Sequence, residues 1–191
     1  MRQKSVAVVF AGGKSSRMKR DKALLSFGGY ETLSEFQYRK LAAWFDEVYL
    51  ASKEAKFDFT DNLILDCYDV YSPLSAIVSV FETLPVEEVF ILSVDTPLID
   101  ESIVKTLQKN LTSDLDAVIA QTPEGLHPLC GFYKRSILPL ASEHLQKNEH
   151  RLQTLLDRAH TGYVTFESDA AFINLNTPEE YTEAVKLISS V

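Results

Sequence analysis

The sequence predicts a single α/β domain over residues 1–191, three layers deep (α/β/α), with helices on both faces of a mostly parallel sheet. Three observations carry that prediction. Short β-branched runs alternate with helical stripes along most of the chain, the pattern of an open parallel sheet. No internal repeat, low-complexity tract or Pro/Gly/Ser-rich linker interrupts them. At 191 residues the chain can bury roughly 70% of its unfolded surface, so it needs no disulfide or structural metal to fold.

Ser5–Phe10 (SVAVVF) reads as a strand buried on both faces, and a helix over about 32–45 follows, with Leu33, Phe36, Leu41, Trp44 and Phe45 on one stripe. Glu47–Ala51 is the second strand and Asn62–Leu65 a short third. Pro73 suits a first helical turn, and Leu74, Ile77, Val78, Phe81 and Leu84 recur behind it at helical spacing. Glu88–Val94 is the strongest strand and ends at Asp95. Ile103, Val104, Leu107 and Leu111 mark a helix, Leu115–Ala120 a strand, and Phe132–Tyr133 lies on another. Helical stripes run through Ile137, Ala141, His144 and Leu145, and through Leu152, Leu155 and Leu156. Tyr163–Phe166 reads as a late strand. Tyr181, Ala184, Val185 and Ile188 form the closing helix, with Tyr181, Val185 and Ile188 read as core, and it opens on a capping box of Thr177, Pro178 and Glu180.

Composition excludes several classes of function. Lys+Arg 19 against Asp+Glu 27 gives a net charge of −8, which argues against nucleic acid or an anionic membrane surface as partner. The longest apolar runs fall far short of the ~20 residues that span a bilayer. The N-terminus has no long apolar region with a small-residue cleavage site, so a cytoplasmic enzyme is expected. Cys67 and Cys130, 63 positions apart, form no metal or redox spacing and read as inert packing thiols.

Open parallel sheets bind ligands outside the C-terminal ends of their strands. After the first strand comes Ala11-Gly12-Gly13-Lys14-Ser15-Ser16-Arg17-Met18-Lys19-Arg20-Asp21-Lys22. Its glycines let backbone N–H groups approach an anion, and Lys14, Arg17, Lys19, Arg20 and Lys22 place five cations within nine positions. The bland reading is a solvated charged turn. Gly13-Lys14-Ser15 imitates the end of a P-loop, but Val8 stands where that motif needs glycine. Asp95, at the end of the strongest strand and facing this cationic loop, has the character of a magnesium ligand: the hard ion takes oxygen donors and shares the rest with waters and substrate phosphates. The competing reading is a strand-ending turn with local hydrogen bonds only. His127, before Pro128, is either a satisfied surface histidine or a ligand contact in an extended or turn conformation near the site mouth. Arg151 reads as part of a solvated helix start, with an acceptor phosphate as the other possibility. Asn174 and Asn176, two apart, share a side if extended, and each amide offers both donors and an acceptor; the bland reading is the lead-in to the capped helix.

The series A-G-G-x-S-S-R-M-x-x-D-K-A-L-L, then D-T-P, H-P-L and N-x-N-T-P-E-E, resembles the molybdenum cofactor guanylyltransferases, nucleotidyltransferases that transfer GMP from GTP to a molybdopterin-type cofactor and release pyrophosphate. Matching elements run from Val6 to Glu180. The resemblance implies a Rossmann-like nucleotidyltransferase domain, with Phe10, Ala11, Gly12 and Gly13 against the nucleotide. Lys14, Arg17 and Lys22 would meet its phosphates, Asp66 would contact the nucleotide, Asp95 would hold Mg²⁺, and His127, Asn174 and Asn176 would face the acceptor. Molybdoenzymes or their chaperones are the implied protein partners. The chain departs from the pattern at Lys19, where relatives carry glycine, at Ala51-Ser52-Lys53, where many carry asparagine, and at Ser72-Pro73-Leu74-Ser75-Ala76, where both usual glycines are replaced. The alternative within the superfamily is a cytidylyl- or sugar-phosphate nucleotidyltransferase. Outside it, the alternative is a nucleotide-binding regulator without turnover.

Overall fold

The structure is a computed structural model and describes residues 4–12, 21–66 and 68–188. Seven strands form one sheet: β1 (Val6–Phe10), β2 (Glu47–Ser52), β3 (Leu63–Leu65), β4 (Glu88–Ser93), β5 (Ala117–Thr122), β6 (Gly125–Lys134) and β7 (Thr161–Thr165). Their order across the sheet is β3-β2-β1-β4-β6-β5-β7. β6 runs antiparallel to both of its neighbours, and the remaining pairings are parallel.

Among the described residues six α-helices divide between the two faces. Leu33 and Leu41 of α1 (Leu33–Ala42), Ile103 and Leu107 of α3 (Glu101–Lys109) and Ala184 of α6 (Pro178–Ile188) pack with Ala7, Val9, Leu50, Phe90 and Leu92. The opposite cluster joins α2 (Pro73–Thr83), α4 (Leu138–Gln146) and α5 (Leu152–Arg158) to Val6, Val8, Phe10, Val89 and Ile91. Alternate residues of one strand thus enter different cores, as the two-residue strand period requires. This is the three-layer arrangement that the alternating pattern predicts.

Local chemistry starts the helices where the sequence places them. Ser72 caps α2 by accepting from the Ser75 N–H, with Pro73 in the first turn. At α6 the Glu180 carboxylate accepts from the N–H groups of Asn176 (2.7 Å) and Thr177 (2.8 Å), and the Thr177 hydroxyl accepts from the Glu180 N–H (3.2 Å). Two expectations need correction. Tyr181, Val185 and Ile188 are only half-buried against the core, and Ala184 is the fully buried position of α6. The strand around Phe132–Tyr133 is ten residues long and includes His127-Pro128. Proline and two glycines imitate a loop there, whereas hydrogen bonding to β4 on one side and β5 on the other makes it strand.

β6 also carries a pronounced bulge. Ile119 pairs with Gly131, but the next residue of β5, Ala120, pairs with His127, so Pro128, Leu129 and Cys130 face no partner on β5. Proline has no N–H to leave unpaired, which suits this position. Gly131 closes the bulge where a Cβ would lie 2.4 Å from the Val118 carbonyl oxygen. Among the described residues no helix is long and apolar enough to cross a membrane.

Candidate active site

The C-terminal ends of β1 to β4 open on one edge of the sheet, and the start of antiparallel β6 joins them. Two cavities lie there. The larger, about 290 Å³, is lined by Phe10, Gly12, Ser52, Lys53, Asp66, Tyr71 and Leu129 among others. The second, about 220 Å³, is lined by Asp95, Leu126, His127, Pro128, Cys130 and Asn174 among others. Ser93 and Leu129 border both, so the bulge of β6 supplies part of the wall between them.

Three side chains meet at the junction. Lys22 Nζ donates to Asn176 Oδ1 at 2.6 Å and lies 3.4 Å from Asp95 Oδ2. Each is brought there by its own local structure. Lys22 opens a short 3₁₀ turn, Lys22–Leu24, capped by the Asp21 carboxylate, which accepts from the Ala23 N–H and pairs with Lys56. Asp95 leaves β4 with its Oδ1 accepting from the Ser93 hydroxyl at 2.6 Å. The asparagine segment is stitched alongside by the Leu175 N–H, which donates to the Asp95 carbonyl at 2.8 Å. Residues 154 positions apart thus form one cluster.

The bend that carries Asp95 is braced from α1. Gln37, fully buried, directs its amide N–H groups at the carbonyls of Ser93 (3.1 Å), Val94 (3.3 Å) and Thr96 (3.1 Å). Lys40 Nζ donates to the carbonyls of Pro97 (2.7 Å) and Ile99 (3.0 Å). Burial pulls the Lys40 amine down to about 7, against a smaller opposing pull from nearby groups including Asp100.

The sequence-derived candidates distribute as follows. Phe10 and Gly12 line the larger cavity, whereas Ala11 turns into the α1 face of the core. Asp66 is buried at the end of β3 and ion-paired to Lys53. The two asparagines part company: Asn174 lines the second cavity and Asn176 engages Lys22. The His127 ring lies 2.8 Å from the Thr122 hydroxyl and packs against Phe172, and burial lowers its pKa. Arg151 is exposed ahead of α5 and lines neither cavity. Burial raises the Cys130 thiol to about 12, as expected of a packing thiol. Gly13, Lys14, Ser15, Ser16, Arg17, Met18, Lys19, Arg20 and Cys67 lie outside the described residues. Sequence reasoning missed Ser93, Gln37 and Lys40, while Lys53, at the strand end where the sequence directs attention, lines the larger cavity. The Ser93-x-Asp95 spacing was a readable signal for the first; nothing local marks the α1 pair.

A model of the MobA-like NTP transferase domain matches residues 7–164. The molybdenum cofactor guanylyltransferase of Campylobacter jejuni (strain RM1221) is 40% identical over 176 residues, which cover 91% of this chain and 92% of that one. The chain belongs to the molybdenum cofactor guanylyltransferases. A further family member, from Helicobacter pylori (strain G27), is 31% identical over 186 residues, 95% of this chain and 92% of the relative. A molybdopterin-guanine dinucleotide biosynthesis protein A from Archaeoglobus fulgidus shares the fold at a TM-score of 0.83 and 16% identity, over 97% of this chain and 100% of that one. A protein from Aquifex aeolicus superposes at a TM-score of 0.77 with 28% identity, covering 91% and 94% of the two chains.

Among the described residues no three His, Cys, Asp or Glu side chains converge as a metal cluster. At the junction Asp95 brings a carboxylate and Asn176 an amide oxygen, both beside Lys22. That fits an ion which takes one carboxylate from protein and its other ligands from phosphates and water.

Proposed function

We propose that this chain transfers the GMP group of GTP to a molybdopterin-type acceptor with release of pyrophosphate, in a magnesium-dependent reaction. The observation that carries the reading is the junction itself: Asp95, Lys22 and Asn176 meet beside a wall shared by two cavities, a place for two substrates to react. The names of the relatives favour guanylyl transfer over the cytidylyl alternative.

An oxygen of the acceptor's phosphate attacks the α-phosphorus of GTP in line. The new P–O bond forms as the bond to the oxygen bridging the α- and β-phosphorus breaks, and that oxygen leaves with its electron pair as pyrophosphate. No covalent enzyme intermediate is needed, so the protein's work is positioning and charge stabilisation. Lys22 presents its ammonium to the phosphates, joined in this role by Lys14 and Arg17. Asp95 would hold Mg²⁺, which would supply positive charge to neutralise the phosphates. Phe10 and Gly12 place the nucleotide, while His127 and Asn174 hold the acceptor, with Asn176 linking the two halves through Lys22. Molybdoenzymes or their chaperones then receive the product.

The test is pyrophosphate release from each of the four nucleoside triphosphates, with and without molybdenum cofactor and with and without Mg²⁺. Release confined to GTP, acceptor and Mg²⁺ together is expected. Release that prefers CTP, or that persists with the ion removed, would sink the corresponding part of the reading.

A further inference from the structure

The larger cavity contains an ion pair that the reaction above leaves unexplained. Lys53 Nζ lies 2.9 Å from Asp66 Oδ2 and also donates to the Tyr68 carbonyl. The two side chains are 15% and 5% exposed. Sequestering a pair of charges is weak evidence for stability in itself, because desolvation offsets much of the attraction. The surrounding walls are largely apolar, built from Phe10, Ala51, Tyr71, Pro73 and Leu129. A slot of that kind suits a nucleobase better than a polyphosphate: the pair has no net charge, and Lys22 stands outside the lining.

Asp66 has little left to offer a base. Its Oδ2 accepts from the Ser75 hydroxyl at 2.7 Å and rests on Lys53. Its Oδ1 accepts from the Tyr68 N–H at 3.1 Å and the Ser79 hydroxyl at 3.3 Å. These four neighbours crowd the carboxylate, with the single protons of Ser75 and Ser79 shared between it and the carbonyls of Ser72 (2.8 Å) and Ser75 (2.9 Å). An ammonium, by contrast, carries three protons: Asp66 and the Tyr68 carbonyl take two, and the third lies on the cavity side, where the Tyr71 ring centroid is 5.3 Å from the nitrogen and offers only a weak cation–π contact.

We propose that Lys53 is the base-reading residue of this enzyme, its ammonium donating to O6 of guanine while Asp66 acts as the positioning group that aims it. The assignment rests on GTP being the donor nucleotide. Adenine carries an amino group where guanine carries O6, so the donor-only ammonium would meet another donor there. Selectivity then comes from a repelling mismatch as well as from an attractive contact.

The test titrates GTP and 6-thio-GTP by calorimetry into three proteins: the unmodified chain, Lys53→Met, and the double variant Lys53→Met/Asp66→Asn. The double variant removes both charges together, so a stranded carboxylate cannot unfold it, and circular dichroism verifies the fold of each. 6-Thioguanine keeps the guanine N–H donors but replaces O6 with sulfur, a poor acceptor. The unmodified protein should bind GTP roughly tenfold or more tightly than 6-thio-GTP, in line with a hydrogen bond to a charged group. In the variants that preference should vanish, with 6-thio-GTP affinity little changed. An undiminished preference, or equal weakening of both nucleotides, overturns the role of Lys53 and leaves GTP as donor untouched. Failure of the unmodified chain to bind GTP at all would overturn the nucleotide reading and this assignment with it.

Discussion

At Asp95 a carboxylate is held from two sides, by the Ser93 hydroxyl on Oδ1 and by Lys22 near Oδ2. Asp95→Asn keeps the size and removes the charge, so turnover should fall by roughly 100-fold or more while the melting temperature moves by only a few degrees. Near-normal turnover at ordinary magnesium would take Asp95 out of the site. Lys40 makes a prediction of a different kind. Burial holds its amine at about 7, far below the usual 10.5. Between those values the unfolded chain binds the proton and the folded chain does not, so this residue makes stability rise with pH. Below about 7 both states are protonated and the burial penalty is fully present. Relative to Lys40→Met, the unmodified protein should therefore gain about 2 kcal/mol of unfolding free energy between pH 7 and 9, measured by urea titration. A difference that stays flat across this window would show that Lys40 is protonated throughout.

Among the elements, α6 links stability to the site most directly, because its capping box begins at the residue that touches Lys22. Thr177→Ala removes the hydroxyl that accepts from the Glu180 N–H and should cost about 1 kcal/mol. Turnover should fall further than that loss predicts, since the turn that carries Asn176 loosens. Equal turnover per folded molecule would separate the cap from the chemistry. What the sequence made legible follows the same division by element. Strands buried on both faces and capped helices announce themselves locally, so β1, β4, α2 and the start of α6 were readable from runs such as SVAVVF and TPEE. Asp95 and Lys22 were readable because they follow strands. Of β6 only Phe132–Tyr133 was, since the pairing of the rest with β4 and β5 is a long-range property that overrides Pro128 and Gly131. Gln37 and Lys40 look like ordinary helix-surface residues until the Asp95 bend folds over them.

For the molecule as a whole, the two cavities predict two separable binding events. His127 lines the second cavity alone, so His127→Gln should leave GTP affinity within about twofold while lowering transfer to the acceptor. Calorimetry with GTP and a dinucleotide-formation assay at saturating GTP check this pair of outcomes. Loss of GTP binding in a folded variant would merge the two halves into one site. The bulge of β6 bears on how such an enzyme can change over time. Pro128, Leu129 and Cys130 are spare length on one side of the sheet: a residue gained or lost there need not slide Phe132 or Tyr133 out of register with β5. The wall to which Leu129 belongs therefore works like a shim. A change in its length would reshape both cavities at once, because Leu129 borders each of them.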